Sequence, residues 1–512
     1  MSIMLPLLLP LNSSLAYGLL LVVGALCAAF IIRSYLLRRA SENPSEKAAM
    51  RSEYPHLHSS PPTRRPFAGL HDQKNGGDGG GGGGVLTPTG FSEHDIKALG
   101  RFPDYAVLSG VPHPQPYSNF DIHKAMFRPY RPFRWNYHQT MALMKFDPNF
   151  WIELEQNYFE TMKKRQQLLA KYGTMVLNFT RESEQACREL MEMAVQFLCI
   201  RYPQYFQLEA GNTKLHNRLL STVSDLEATP PLRIVFDNVP EDFAIVVRDD
   251  DTGYYHLRAG SICSTLGWNL HTKMNKSLAE IHEPVADFKE KMLKSVDRYE
   301  LPVAFRLPPS PPPPLPPPLS PFPFMIFASS PGFLLSFQGP TDQSTHGSVS
   351  SYFSRMPTDQ PISRGSWSIE DWKALFVPPE EAHLRSHFAH EPVHERRAEK
   401  CFLRVDWQTL RRLPVSGAVV FNFKAIFTPL EELRHEPFIP ALLHKQFSDG
   451  KPSLVEDKAV EDNRGLILDA LNRWKEEQVK AGIVPADWAP ATLHESPFFQ
   501  GWEETWHRKQ GF

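Results

Sequence analysis

The chain has 512 residues, with 55 Lys and Arg against 57 Asp and Glu and a formal net charge of -2, so nothing in its overall charge draws it toward nucleic acid. Its five cysteines, Cys27, Cys187, Cys199, Cys263 and Cys401, are scattered. They form neither the paired framework of a secreted scaffold nor the CxxC spacing that holds zinc or an iron-sulfur cluster, and reduced thiols are the natural reading.

Met1 to Ile32 carries no charge, and Leu15 to Ile32 is almost wholly apolar before Arg33, Arg38 and Arg39. With Leu37 included, the run reaches the ~20 residues that span a bilayer. It predicts a single-pass transmembrane anchor over 15–37, after a short segment 1–14. A signal peptide is the competing reading, but that needs positive charge ahead of the apolar core. Arginines on the C-terminal side place the main domain in the cytosol. Residues 38–100, rich in Ser, Pro and Gly, read as a disordered linker. The GxGxxG-like text within Gly76 to Gly84 follows no predicted strand and opens no helix, so it is no dinucleotide fingerprint.

The main domain is expected over 101–512. Apolar spacing predicts helices over Phe150–Leu169, Arg181–Ile200 and Leu466–Lys480. Strands are predicted over Phe243–Val247, Tyr254–Leu257 and Val419–Phe427, with a turn at Asp249–Gly253. The fold class is therefore α+β. Glu300 to Ser350 contains LPPSPPPPLPPPLSP, which lies in no helix or sheet interior and interrupts the domain as an extended insert. A ligand for proline-recognising domains is one reading of it.

Lys276 to Glu283, KSLAEIHE, reads as a short helix ended by Pro284. On helical spacing Met274, Leu278 and His282 share one side, so the imidazole leaves an apolar stripe, a setting that suits an axial metal ligand. The alternative is a histidine held by the carbonyl dipole at a helix end. Trp268 and Lys273 come just before, the tryptophan as core or as the wall of a planar ligand, the lysine as a partner for an acid group.

Cys401 to Leu430 sets Arg404, Arg411 and Arg412 ahead of a strand that puts Val419, Phe421, Phe423, Ala425 and Phe427 on one face and Asn422 and Lys424 on the other. Guanidinium forks beside rigid structure suit a carboxylate or phosphate, and a solvated basic turn is the alternative.

The segment LRVDWQTLRRLPVSGAVVFNF resembles the LRxERQTLRRLPxSGAxxFxI signature of proteins similar to the alpha subunit of heme-dependent oxidative N-demethylase, a family with many fungal members. Further blocks follow in family order: Phe127 to Leu169, Glu241 to Asp250, Gly260 to Val285 and RGSWSI from Arg364. The resemblance implies a PAS-like antiparallel sheet with additional packed helices. It implies heme with His282 as iron ligand, and Arg404, Arg411, Arg412 and Lys273 as propionate partners beside Trp268. Asp406 and Trp407 replace the family's Glu and Arg. His138, Trp367 and Ser368 lie in other family blocks. The implied activity is oxidative N-demethylation, or a related monooxygenation, of a small amine. Electrons come from a separate reductase, because no flavin, iron-sulfur or dinucleotide signature is present. A non-catalytic heme-binding sensor and a membrane-tethered interaction protein are the alternatives. The flanks SVDRY and SVSSYFSRMPTDQP would read as a single SVDRYFSRMPTDQP, as in the family pattern, if the middle were removed, and the insert over 300–350 therefore reads as an intron retained in the coding sequence.

Overall fold

The structure, a computed structural model, describes residues 86–135, 144–250, 253–282, 353, 356–384, 395–452, 455, 458–459 and 461–511. The expected anchor over 15–37, His138 and the insert over 300–350 lie outside them. Among the described residues no helix is long and apolar enough to cross a membrane.

The fold is α+β, built on a seven-stranded antiparallel sheet. Its strands are β1 (Met144–Lys145), β2 (Leu177–Phe179), β6 (Asp242–Arg248), β7 (Tyr255–Ser261), β8 (Ile362–Glu370), β9 (Phe402–Arg412) and β10 (Val419–Pro429), ordered β1-β8-β9-β10-β6-β7-β2. A small sheet of β3 (Phe206–Leu208), β4 (Lys214–Asn217) and β5 (Thr222–Asp225) stands apart. At the centre, β9 and β10 pair along their whole length, from Val419 opposite Arg412 to Pro429 opposite Phe402. Their connection closes through the Leu413 amide on the Ala418 carbonyl, 2.8 Å. Gly417 has φ +70° there and a Cβ would meet Pro88 at 2.8 Å, so the turn requires glycine.

One face of the sheet carries two helical layers. The first contains α3 (Tyr158–Tyr172), α4 (Glu184–Arg201) and α5 (Pro231–Asn238), whose apolar residues pack on Phe243, Ile245, Ala259 and Val420. The second contains α7 (Ile439–Asp449) and α8 (Glu461–Lys480), packed on Leu403, Val405, Trp407 and Ile426. Helix α3 begins at Tyr158 rather than Phe150, because Pro148–Phe150 forms a 3-10 turn capped by Asp147.

The folded region starts earlier than the expected boundary at residue 100. Ser92 and Asp95 form a reciprocal capping box at the head of α1 (Glu93–Leu99), and Thr89 donates to the Val415 carbonyl at 2.7 Å. A Ser-x-x-Asp cap followed by a buried Leu99 is enough to hold a short helix on the fold.

The strand β10 reverses the expected exposure. Asn422 and Lys424 are 0% and 2% exposed, whereas Phe423, Ala425 and Phe427 are only half-buried. Buried polar groups need partners, and Lys424 has them: Glu241 at 2.9 Å, Glu153 at 3.2 Å and the Trp151 carbonyl at 3.0 Å. Asn422 donates to Glu241 at 2.6 Å, and Tyr130 to Glu153 at 2.6 Å.

Candidate functional site

The opposite face of the sheet carries Arg364 on β8, Leu410 and Arg412 on β9, Val419, Phe421 and Phe423 on β10, and Ala244 and Val246 on β6, a grouping fixed by register and by the period of two. Residues 268–282 cover its upper half. They are tied to β7 by the Leu257 amide on the Lys276 carbonyl, 3.0 Å, and the Asn275 amide on the Leu257 carbonyl, 2.9 Å. Ser277 and Glu280 then cap a short helix, α6 (Leu278–His282), with the Ser277 amide 2.8 Å from the Glu280 carboxylate.

Leu278 is 3% exposed and packs with Leu410, Val419 and Phe421, while Trp268, Met274, Ile281, Ile362 and Phe423 pack around them half-buried. Met274 precedes α6 rather than sharing its helical stripe, yet joins the same cluster. His282 is the last residue of α6, one turn beyond Leu278. Lys273 donates to the Ile281 carbonyl at 3.3 Å, beside that helix end. Burial, with Lys276 nearby, holds its ammonium below the usual lysine range.

Alternation also decides where the three arginines go. They do not form a solvated turn ahead of the strand; all three lie within β9 and are buried, at 3%, 7% and 1% exposure for Arg404, Arg411 and Arg412. Arg412 shares the face with α6, but its donors meet the Met356 carbonyl at 2.6 Å, the Gly417 carbonyl at 2.6 Å, the Tyr255 hydroxyl at 3.0 Å and the Phe353 carbonyl. Arg404 donates to the Ser264 carbonyl at 2.9 Å and the Ala374 carbonyl at 3.2 Å, and chelates Asp406 at 2.9–3.2 Å. Asp406 therefore orients an arginine. Arg411 points to the reverse face, over the rings of Trp151 and Phe146. The structure thus does not bring the three together: Arg411 is on the reverse face, and Arg404 and Arg412 stand eight residues apart along β9 with different partners.

Sequence reasoning passed over Arg364, which stands opposite Gln408 in the register of β8 and β9. Its Nε donates to Gln408 at 2.8 Å and its guanidinium lies 5.8 Å from the Phe421 ring centroid. Its even spacing from Ser366 and Ser368 in RGSWSI puts the three on one face of β8, and the pairing with β9 makes that the Arg412 face. Trp367 turns the other way, into the core beside Phe133 and Phe447, and Ser368 bonds Glu370 at 2.6 Å.

Beyond Phe423, where β6 ends its pairing with β10, the free edge of β10 borders a cleft of about 1190 Å³, lined by Phe423, Lys424, Ala425, Arg165, Lys373 and Trp502 among others. Of the α6 cluster, Phe423 alone also lines the cleft. Trp268, Lys273, Arg404, Arg411 and Arg412 do not line it. Within it Glu155 titrates at about 6, raised by burial.

A planar macrocycle with two acid groups needs a flat apolar seat, an axial ligand and cations at one edge. The half-buried rim of Trp268, Met274, Ile281, Ile362 and Phe423 fits the seat, and a histidine closing α6 fits the ligand. The donors of Arg404 and Arg412 are taken up internally; Lys273 and Arg364 are two further cations on this face. Among the described residues no cluster of His, Cys, Asp and Glu is built to hold a metal ion by itself.

Residues 142–307 and 340–468, together more than half of the chain, match the family described as haem-dependent oxidative N-demethylase, alpha subunit-like.

Proposed function

Because the chain belongs to the haem-dependent oxidative N-demethylase alpha-subunit-like family, we propose that it is a heme-binding oxidoreductase that demethylates, or otherwise monooxygenates, a small amine. The observation that carries this reading is the half-buried apolar surface on one sheet face packed around α6, the helix whose last residue is His282, within the matched segments. The sheet is read as PAS-like, antiparallel and backed by packed helices on the other side.

His282 would hold the iron of a bound heme through its imidazole. Lys273 and Arg364 neutralise the propionates, and Trp268 and Phe421 wall the macrocycle from water. Bound heme would supply redox chemistry toward an N-methyl carbon, with dioxygen as oxidant and two electrons from a reductase, so that the carbon leaves as formaldehyde and the second oxygen atom as water. Arg404 and Arg412 act one step back: Arg404 fixes Asp406 and the 264 and 374 loops, and Arg412 pins Phe353 and Met356 over the sheet. The amine enters by the cleft next to Phe423, where Glu155 is a carboxylate suited to an ammonium group.

Electrons come from a separate reductase. The chain is read as a single-pass membrane protein, anchored through 15–37 with the domain in the cytosol, and 38–85 as its tether. The two matched segments leave out 308–339, which supports reading the proline-rich stretch as an insert foreign to the domain.

The test is the purified full-length protein supplied with heme, NADPH and a cytochrome reductase. A Soret band with NADPH-dependent formaldehyde release from an N-methylated amine is expected. A Soret band without turnover across a panel of amines makes the protein a heme sensor, and no band at all removes both readings.

A further inference from the structure

Behind the sheet, on the face away from α6, a small cavity of about 30 Å³ is bounded by Arg411, Trp151, Phe146, Gln196 and Met193 among others. Three of these side chains are more than nine-tenths buried, and each has a polar atom without a hydrogen-bond partner among the described residues: Arg411 Nε, Trp151 Nε1 and Gln196 Oε1. Buried polar atoms of this kind are rare in a folded protein, and three around one cavity point to an occupant. The Arg411 guanidinium lies 4.4 Å from the Trp151 ring centroid and 5.3 Å from that of Phe146, so aromatic rings hold it in place.

The charge is poorly matched. Burial lowers Arg411 to about 10, which leaves it protonated at neutral pH. Glu189 is the carboxylate that acts on it, but its two oxygens already accept the Val415 amide at 2.6 Å and the Ser416 amide at 2.8 Å. Water answers the N–H donors and leaves the charge uncompensated, whereas an anion answers both.

We propose that this cavity is a binding site for a small monovalent inorganic anion of chloride size. The anion accepts from Arg411 Nε and Trp151 Nε1, and a water joins it to Gln196 Oε1. One water needs about 10–15 Å³ of such space, so the cavity has room for a small anion and a water. The site is separate from the α6 face, and its role is to complete the packing of β9 against α4.

The experiment is thermal unfolding of the full-length protein in chloride or gluconate at equal ionic strength. A saturable rise in midpoint of about 2 °C with chloride is expected, and Arg411→Met should abolish the response. An equal wild-type midpoint in both salts overturns the proposal. Should Arg411→Met not fold, crystals of the wild type grown in bromide decide the matter: an anomalous peak in the cavity supports the site, and water alone there overturns it.

Discussion

The three arginines of β9 show how little a residue's type says without its register. Arg411 and Arg412 are neighbours in sequence and face opposite sides of the sheet, one over Trp151 and the other among carbonyls of the 353–356 segment. Arg404 and Arg412 share a side because eight residues separate them. Glu189, on α4 behind the sheet, carries a prediction of its own. Burial outweighs the two backbone amides that donate to it and pushes its carboxyl up to about 7 from the ordinary 4.5. A carboxyl raised by folding contributes its full stability below about pH 4.5 and loses it as pH rises through 7. Glu189→Gln removes that dependence. The stability of the wild type relative to the variant should fall by about 3 kcal/mol between pH 4.5 and 8, read from urea unfolding across that range. A difference that stays flat with pH contradicts the assignment.

At the scale of elements, the hydrophobic period located β10 and left its buried side undetermined. Alternation says that Phe421, Phe423 and Phe427 share a face; it does not say which face is covered more completely. Here two helical layers cover the polar side, and Lys424 is buried because Glu153 and Glu241 reach it from elsewhere in the chain. Opposing charge and burial set those two carboxylates apart. Burial raises Glu241 above the ordinary range despite Lys424, whereas for Glu153 the pull of Lys424 and Arg128 outweighs burial and keeps it below. Lys424→Met leaves Glu241 buried without a cation and Glu153 with Arg128 alone, and should cost about 3–5 kcal/mol. The loss should be larger at pH 8 than at pH 5, where the carboxyls take up protons. An unfolding midpoint in urea that barely moves would show that the network is dispensable. Helix α6 was legible for a different reason, since Ser277-x-x-Glu280 is a capping box and Pro284 a stop, both local signals.

On the scale of the whole molecule, the α+β class, the β10 strand, the α4 helix and the family were all legible in the sequence, because each rests on local period or on blocks of text such as LRVDWQTLRRLPVSG. The sheet order was not, since β8 enters between β1 and β9 from a distant part of the chain, and neither was Arg364, whose place depends on that pairing. The proline-rich stretch separates the two matched segments without belonging to either. Deleting 308–339 should therefore leave the thermal midpoint and heme affinity unchanged, and a drop in either would make the stretch part of the domain. The account as a whole depends on His282, and its absorption spectrum is the direct probe. Wild type loaded with heme should show a Soret band that His282→Ala erases or shifts, while Arg411→Met, behind the sheet, leaves it in place. An unchanged band in His282→Ala, or a wild type that takes up no heme, would contradict it.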